Sequence, residues 1–104
     1  MKNINCIKGT FDILPETSEI WREVESAVHD FMYVHGFGEI RTPAFEKTEL
    51  FVRGIGDTTD IVNKEMYTWT DTDKAGTQLT LKPELTAPVV RSYIQHNMQS
   101  LGPL

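Results

Sequence analysis

From residue 20 to residue 35, Ile20, Trp21, Val24, Val28, Phe31, Met32 and His35 recur at steps of three and four, while Glu19, Arg22, Glu23, Glu25 and Asp30 fall mostly elsewhere around a helical wheel. That period predicts a long amphipathic helix. Pro15 suits its first turn, Glu16 and Glu19 favour the positive end of its dipole, and Gly36 is placed to end it just past His35. Residues 37–42 then alternate, with Phe37, Glu39 and Arg41 on one side and Gly38, Ile40 and Thr42 on the other, until Pro43 removes the next ladder donor. A strand is expected there. Residues 45–53 read as a short helix, and Gly54-Ile55-Gly56-Asp57-Thr58-Thr59-Asp60 as a turn-rich connection. β-branched, aromatic and aliphatic side chains dominate residues 65–70 and 77–82 on either side of Asp71-Thr72-Asp73-Lys74-Ala75-Gly76, which predicts a hairpin. A last helix over about residues 87–98 sets Val90, Ile94 and Met98 in one row, and Gly102-Pro103 stops it. The first fifteen residues, with Gly9, Thr10, Asp12 and Pro15, read as a loop wrapped on an existing surface.

These elements predict an α+β fold, with an antiparallel sheet built from the strands beginning near Phe37, Glu65 and Thr77 and with the Ile20 and Val90 helices packed on it. The expected geometry leaves apolar surface over. A helix of about twenty residues is ~30 Å long, whereas strands of about six residues reach only ~20 Å. Part of the helix and of the Phe37 strand is left to seek another chain, which points to a homodimer.

The chain of 104 residues, 39% of them hydrophobic, is read as one domain over 1–104 with a modest core. Ten basic against fifteen acidic residues set the formal charge at −5, so the basic footprint of a nucleic-acid surface is missing overall. Any such contact is local or lies elsewhere. A single cysteine, Cys6, excludes an internal disulfide and a multi-cysteine metal site and fits a reducing cytoplasm. No apolar run approaches the length of a bilayer span, and the N-terminus lacks the core of a signal peptide. His29, His35 and His96 do not have metal-ligand spacing, and Gly54-Ile55-Gly56 lacks the lysine and Ser/Thr of a phosphate loop.

The chemistry that remains centres on Leu79-Thr80-Leu81-Lys82-Pro83-Glu84-Leu85-Thr86-Ala87-Pro88, where an alternating strand pattern runs through a proline into a helix start. Glu84 lies between two prolines and two residues before Thr86, a residue able to cap the helix, so its carboxylate is expected to be held in place. A fixed carboxylate suits an ammonium ligand. Architecture alone also accounts for the residues: Pro83 ends a strand, Thr86 caps a helix, and Glu84 favours the positive end of the dipole.

Four stretches resemble the N-terminal part of the histidyl-tRNA synthetase family, class II aminoacyl-tRNA synthetases. Lys8-Gly9-Thr10-Phe11-Asp12-Ile13-Leu14-Pro15 resembles the family's N-terminal arm, and Gly36-Phe37-Gly38-Glu39-Ile40-Arg41-Thr42-Pro43 resembles its motif 1 strand. Residues 51–67, from Phe51-Val52-Arg53-Gly54 to Lys64-Glu65-Met66-Tyr67, are the most specific to this family. Leu79 to Ala87 is similar to the stretch that binds the histidine substrate. The resemblance implies ATP-dependent activation of L-histidine to histidyl-adenylate, with Mg2+, and transfer to tRNA(His). It implies that Glu84, Leu85 and Thr86 belong to the histidine site, the Glu and Thr holding the α-amino group, and that Trp21, Phe37, Ile40 and Pro43 belong to a dimer interface. Lys82 departs from the family, which commonly has arginine there; lysine keeps the charge but loses the planar fork.

Motifs 2 and 3 and the anticodon-binding domain are not found in the chain, so the 104 residues alone are expected to be inactive. Two other readings stand beside this one: the synthetase-like regulatory subunit of ATP phosphoribosyltransferase, which does not charge tRNA, and a stand-alone dimerisation module.

Overall fold

Pro15 opens helix α1, Pro15–Val34, in the computed structural model, which describes residues 3–55, 66–73 and 75–102. Most of the expected 54–60 connection and the start of the strand expected from Glu65 lie outside the described residues. The chain divides into two compact units, Met1–Glu39 and Ile40–Leu104.

In the first unit α1 ends as its sequence predicts. Gly36 takes φ 84°, its amide donates to Tyr33 O at 3.0 Å, and the Phe37 amide donates to Met32 O at 2.9 Å. That pair of reversed bonds is a Schellman stop, in which a left-handed glycine turns two orphan carbonyls back onto the chain. The companion apolar contact is also available, since Met32 and Phe37 line the same groove with Trp21, Val24 and Val28. None of the residues of α1 is buried, and Trp21 is 48% and Phe37 62% exposed.

The second unit carries the sheet. Strands β1 (Phe45–Lys47), β2 (Thr68–Thr70) and β3 (Gln78–Leu81) lie in the order β1-β3-β2, both pairs antiparallel. The hairpin is as expected, closed by the Asp71 amide on Thr77 O at 2.7 Å. The first strand is not. Residues 37–42, read as a strand from their alternation, form none, and the ladder begins only where the Lys82 amide reaches Ala44 O. Alternation describes a strand's faces, but a strand exists only with a hydrogen-bonded neighbour, and Pro43 brings no donor. Residues 45–47, read as helix, take that place, and helix α2 follows at once as Thr48–Ile55.

Helix α3, Thr86–Gln95, completes the unit. It stops three residues before the expected end because Asn97 adopts the left-handed conformation (φ 51°), which a short polar side chain tolerates, and a 3-10 turn, Met98–Leu101, follows. Register places Glu46, Thr80 and Thr68 side by side on one face of the sheet. On that face Thr80 is fully buried and Glu46 nearly so, together with Phe51 of α2 and Pro88 and Ser92 of α3. The Thr80 hydroxyl lies 2.7 Å from that of Thr48 and 2.9 Å from that of Thr68, so one buried group joins β3 to β2 and to the start of α2. The opposite face carries Phe45, Trp69 and Leu81, all partly exposed.

Candidate functional site

Strand β3 hands the chain through Lys82-Pro83 to Glu84, and Pro83 ends the ladder because it has no amide to offer. The carboxylate of Glu84 then folds back on the helix that follows. Its Oε2 accepts the Thr86 amide at 2.5 Å, and the Ala87 amide donates to Oε1 at 3.1 Å and to Oε2 at 3.2 Å. The third residue of α3 is Pro88, which lacks an amide, and the Val89 amide already reaches Leu85 O. Glu84 thus serves the two orphan donors at the start of this helix, and the negative charge sits at the positive end of the dipole.

This reverses the capping expected from sequence. Leu85 holds the N-cap position with helical angles and no side-chain bond, and Thr86 is the first helical residue. A threonine already inside the helix cannot cap it with its own oxygen, so the acid one residue before the cap does so instead. The expectation that Glu84 is held in place stands, with the restraint coming from amides.

Glu84 is exposed, yet it faces a concavity of about 480 Å3 between α2 and the start of α3. Leu50, Phe51 and Arg53 form one wall, and Glu84, Thr86, Ala87 and Val90 the other. Two amides leave lone pairs of the carboxylate unused, since an ionised carboxylate offers about four acceptor sites. The cleft therefore presents a fixed anion and a nearby hydroxyl-bearing residue above apolar side chains, an arrangement suited to a small ammonium compound. Leu85 is 64% exposed and is not among the residues lining it. Lys82 is likewise not among the lining residues, and its Nζ lies 3.3 Å from Thr42 Oγ1 and 3.4 Å from Thr42 O.

The residues expected at a dimer contact are drawn from both units. Trp21 and Phe37 share the groove of the first unit, about 470 Å3, whereas Ile40 and Pro43 belong to the second. The sequence reading does not bring Glu46 and Arg91 together. Glu46 stood in a stretch taken for helix, but as the middle residue of β1 it turns inward and meets Arg91 of α3, with Nη2 donating to Oε1 at 2.9 Å and Nε 2.8 Å from Oε2. The Nε contact is one of charge rather than of a directed bond. Phe45, Glu46 and Lys47 carry no alternation of polarity that would mark the acid as inward-facing.

A sequence model described as histidyl-tRNA synthetase matches residues 9–104. The chain belongs to the histidyl-tRNA synthetase family. It is 58% identical over 96 residues to the histidine–tRNA ligase of Staphylococcus epidermidis, covering 92% of this chain and 22% of that protein. The crystal structure of S. aureus histidyl-tRNA synthetase superposes with a TM-score of 0.78 at 44% identity, over 98% of this chain and 23% of that one. A Bacillus halodurans protein described as an ATP phosphoribosyltransferase regulatory subunit/histidyl-tRNA synthetase superposes at 0.65 with 26% identity, over 88% of this chain and 23% of that one. The chain thus spans less than a quarter of the length of these two staphylococcal relatives. The α+β architecture expected from sequence is that of the S. aureus structure. No helix among the described residues is long and apolar enough to cross a membrane.

Proposed function

We propose that these residues contribute to histidine–tRNA ligation, the ATP-dependent activation of L-histidine to histidyl-adenylate and its transfer to tRNA(His). In this reading they form the first part of a class II catalytic domain and supply one side of the histidine site. Glu84 takes the α-ammonium group in a charge-assisted hydrogen bond, the Thr86 hydroxyl adds a second, and the substrate's own carboxylate is thereby oriented toward ATP. ATP enters as a substrate together with Mg2+, and the groups that grip its phosphates and the tRNA come from outside these residues. Trp21, Phe37, Ile40 and Pro43 contribute to contact with a second copy. The setting is the cytoplasm, where the substrates are.

The observation that supports the reading is the placement of Glu84, a carboxylate restrained by two amides at the edge of a cleft, in a chain of this family. Histidine-dependent exchange of pyrophosphate into ATP tests it. The polypeptide at its natural length is expected to catalyse exchange, and Glu84→Ala is expected to lower kcat/KM for histidine by about ten- to a hundredfold, the loss of a charged hydrogen bond at ~1.5–3 kcal/mol. The 104 residues alone are expected to show none. Histidine binding without exchange at natural length would instead favour the regulatory-subunit reading, and neither would favour the dimerisation module.

A further inference from the structure

We infer that the Glu46–Arg91 ion pair is a positioning pair that sets the width and alignment of the cleft in which Glu84 sits. The inference rests on the histidine-site reading above. One wall of the cleft is α2, which starts at Thr48, two residues after Glu46; the other is the first turn of α3, five residues or about 7.5 Å along the axis from Arg91. The pair therefore links the strand that launches one wall to the helix that forms the other.

Its geometry is that of a constraint. The Glu46 side chain is 8% and the Arg91 side chain 27% exposed, with Nη2 to Oε1 at 2.9 Å and Nε to Oε2 at 2.8 Å. The Nη2–Oε1 hydrogen bond, with the Nε charge against the second oxygen of the same carboxylate, restricts the relative orientation of the two side chains in a way that apolar contact does not. Nη1 donates onward to Gln95 Oε1 at 2.6 Å, so the guanidinium is also held from its own helix. Rotating α3 about its axis, or sliding it along β1, pulls Arg91 from Glu46, whereas the bond to Gln95 and the cap at Glu84 are local to α3 and move with it. With the bonds intact, the Glu84 carboxylate and Thr86 face α2 at one fixed spacing, as a ligand held from both walls requires.

The test separates alignment from stability. Histidine affinity by calorimetric titration and the thermal unfolding midpoint are measured on the natural-length polypeptide for the native sequence, Glu84→Ala, Arg91→Lys and the double variant Glu46→Leu/Arg91→Met. Replacing a buried ion pair by apolar groups of similar volume often preserves or raises stability. The double variant is thus expected to unfold at or above the native midpoint and yet to bind histidine about tenfold more weakly, with Arg91→Lys weakened as well. Native affinity in the double variant overturns the inference, and if that variant does not fold, native affinity in Arg91→Lys does so. Absence of Glu84-dependent binding in the native protein overturns the histidine-site reading, and the inference with it. Glu84-dependent native binding with undiminished affinity in the variants removes the inference alone.

Discussion

Glu84 caps α3 and, in the proposed reading, also meets an ammonium group, and a one-atom change tells the two apart. Its carboxylate satisfies the amides of Thr86 and Ala87, and its charge is what an ammonium group would meet. Glu84→Ala is expected to cost about 1 kcal/mol of stability through the lost cap. Glu84→Gln keeps an acceptor oxygen and is expected to recover part of that loss in thermal unfolding while still failing to bind histidine. Equal histidine binding by Gln and Glu would show that charge is not what the site uses. Asp73 makes a simpler case at the hairpin tip. Its carboxyl is held below the usual 3.8, first by the Thr77 amide at 3.0 Å and then by the Thr77 hydroxyl at 2.9 Å. A lowered folded-state value means that this turn adds stability above the unfolded value and loses it as pH falls through the folded one. An NMR titration of Asp73 is expected to give a midpoint below 3.8 that rises in Thr77→Val. A midpoint unmoved by that change would assign the shift elsewhere.

Elements in the second unit are joined by polar groups as much as by apolar ones. Phe51 and Pro88 are buried, but Thr80 at the centre of the sheet binds the hydroxyls of Thr48 and Thr68 and so ties β3 to β2 and to the start of α2. Thr80→Val keeps the shape and removes both bonds, which is expected to cost about 1–2 kcal/mol in denaturant unfolding. A variant as stable as the native chain would mean that the hydroxyls only tolerate burial. The same register explains what was illegible beforehand. A three-residue strand carries too little pattern to be told from helix, so residues 45–47 were read with the helical run after them, whereas the twenty residues of α1, with proline at one end and glycine at the other, were legible throughout. Glu46 became interpretable only once pairing with Thr80 set the direction of its side chain.

Across the whole molecule the unsatisfied quantity is apolar surface. Trp21, Val28, Phe31 and Phe37 in the first unit and Phe45, Trp69 and Leu81 in the second remain substantially exposed, more than a chain of this size keeps open without a use. In the proposed reading a second copy covers the α1 groove. Sedimentation equilibrium on the natural-length polypeptide is then expected to show a dimer that the double change Trp21→Glu/Phe37→Glu weakens by at least about tenfold, since buried aromatic anchors dominate such contacts. A monomer in the native protein, or a dimer indifferent to the change, would assign that face to other parts of the chain.

Local patterning determined α1 with both its ends, the hairpin, and the junction at which an acid would be held, because period, proline and glycine act over a few residues and need no partner. It also carried the family likeness. Which acid caps α3, which segment becomes the first strand, and how a glutamate on that strand finds an arginine forty-five residues away were decided by the tertiary structure. Those outcomes depend on which donors are already taken and which neighbours are within reach, and neither is defined until the chain has packed.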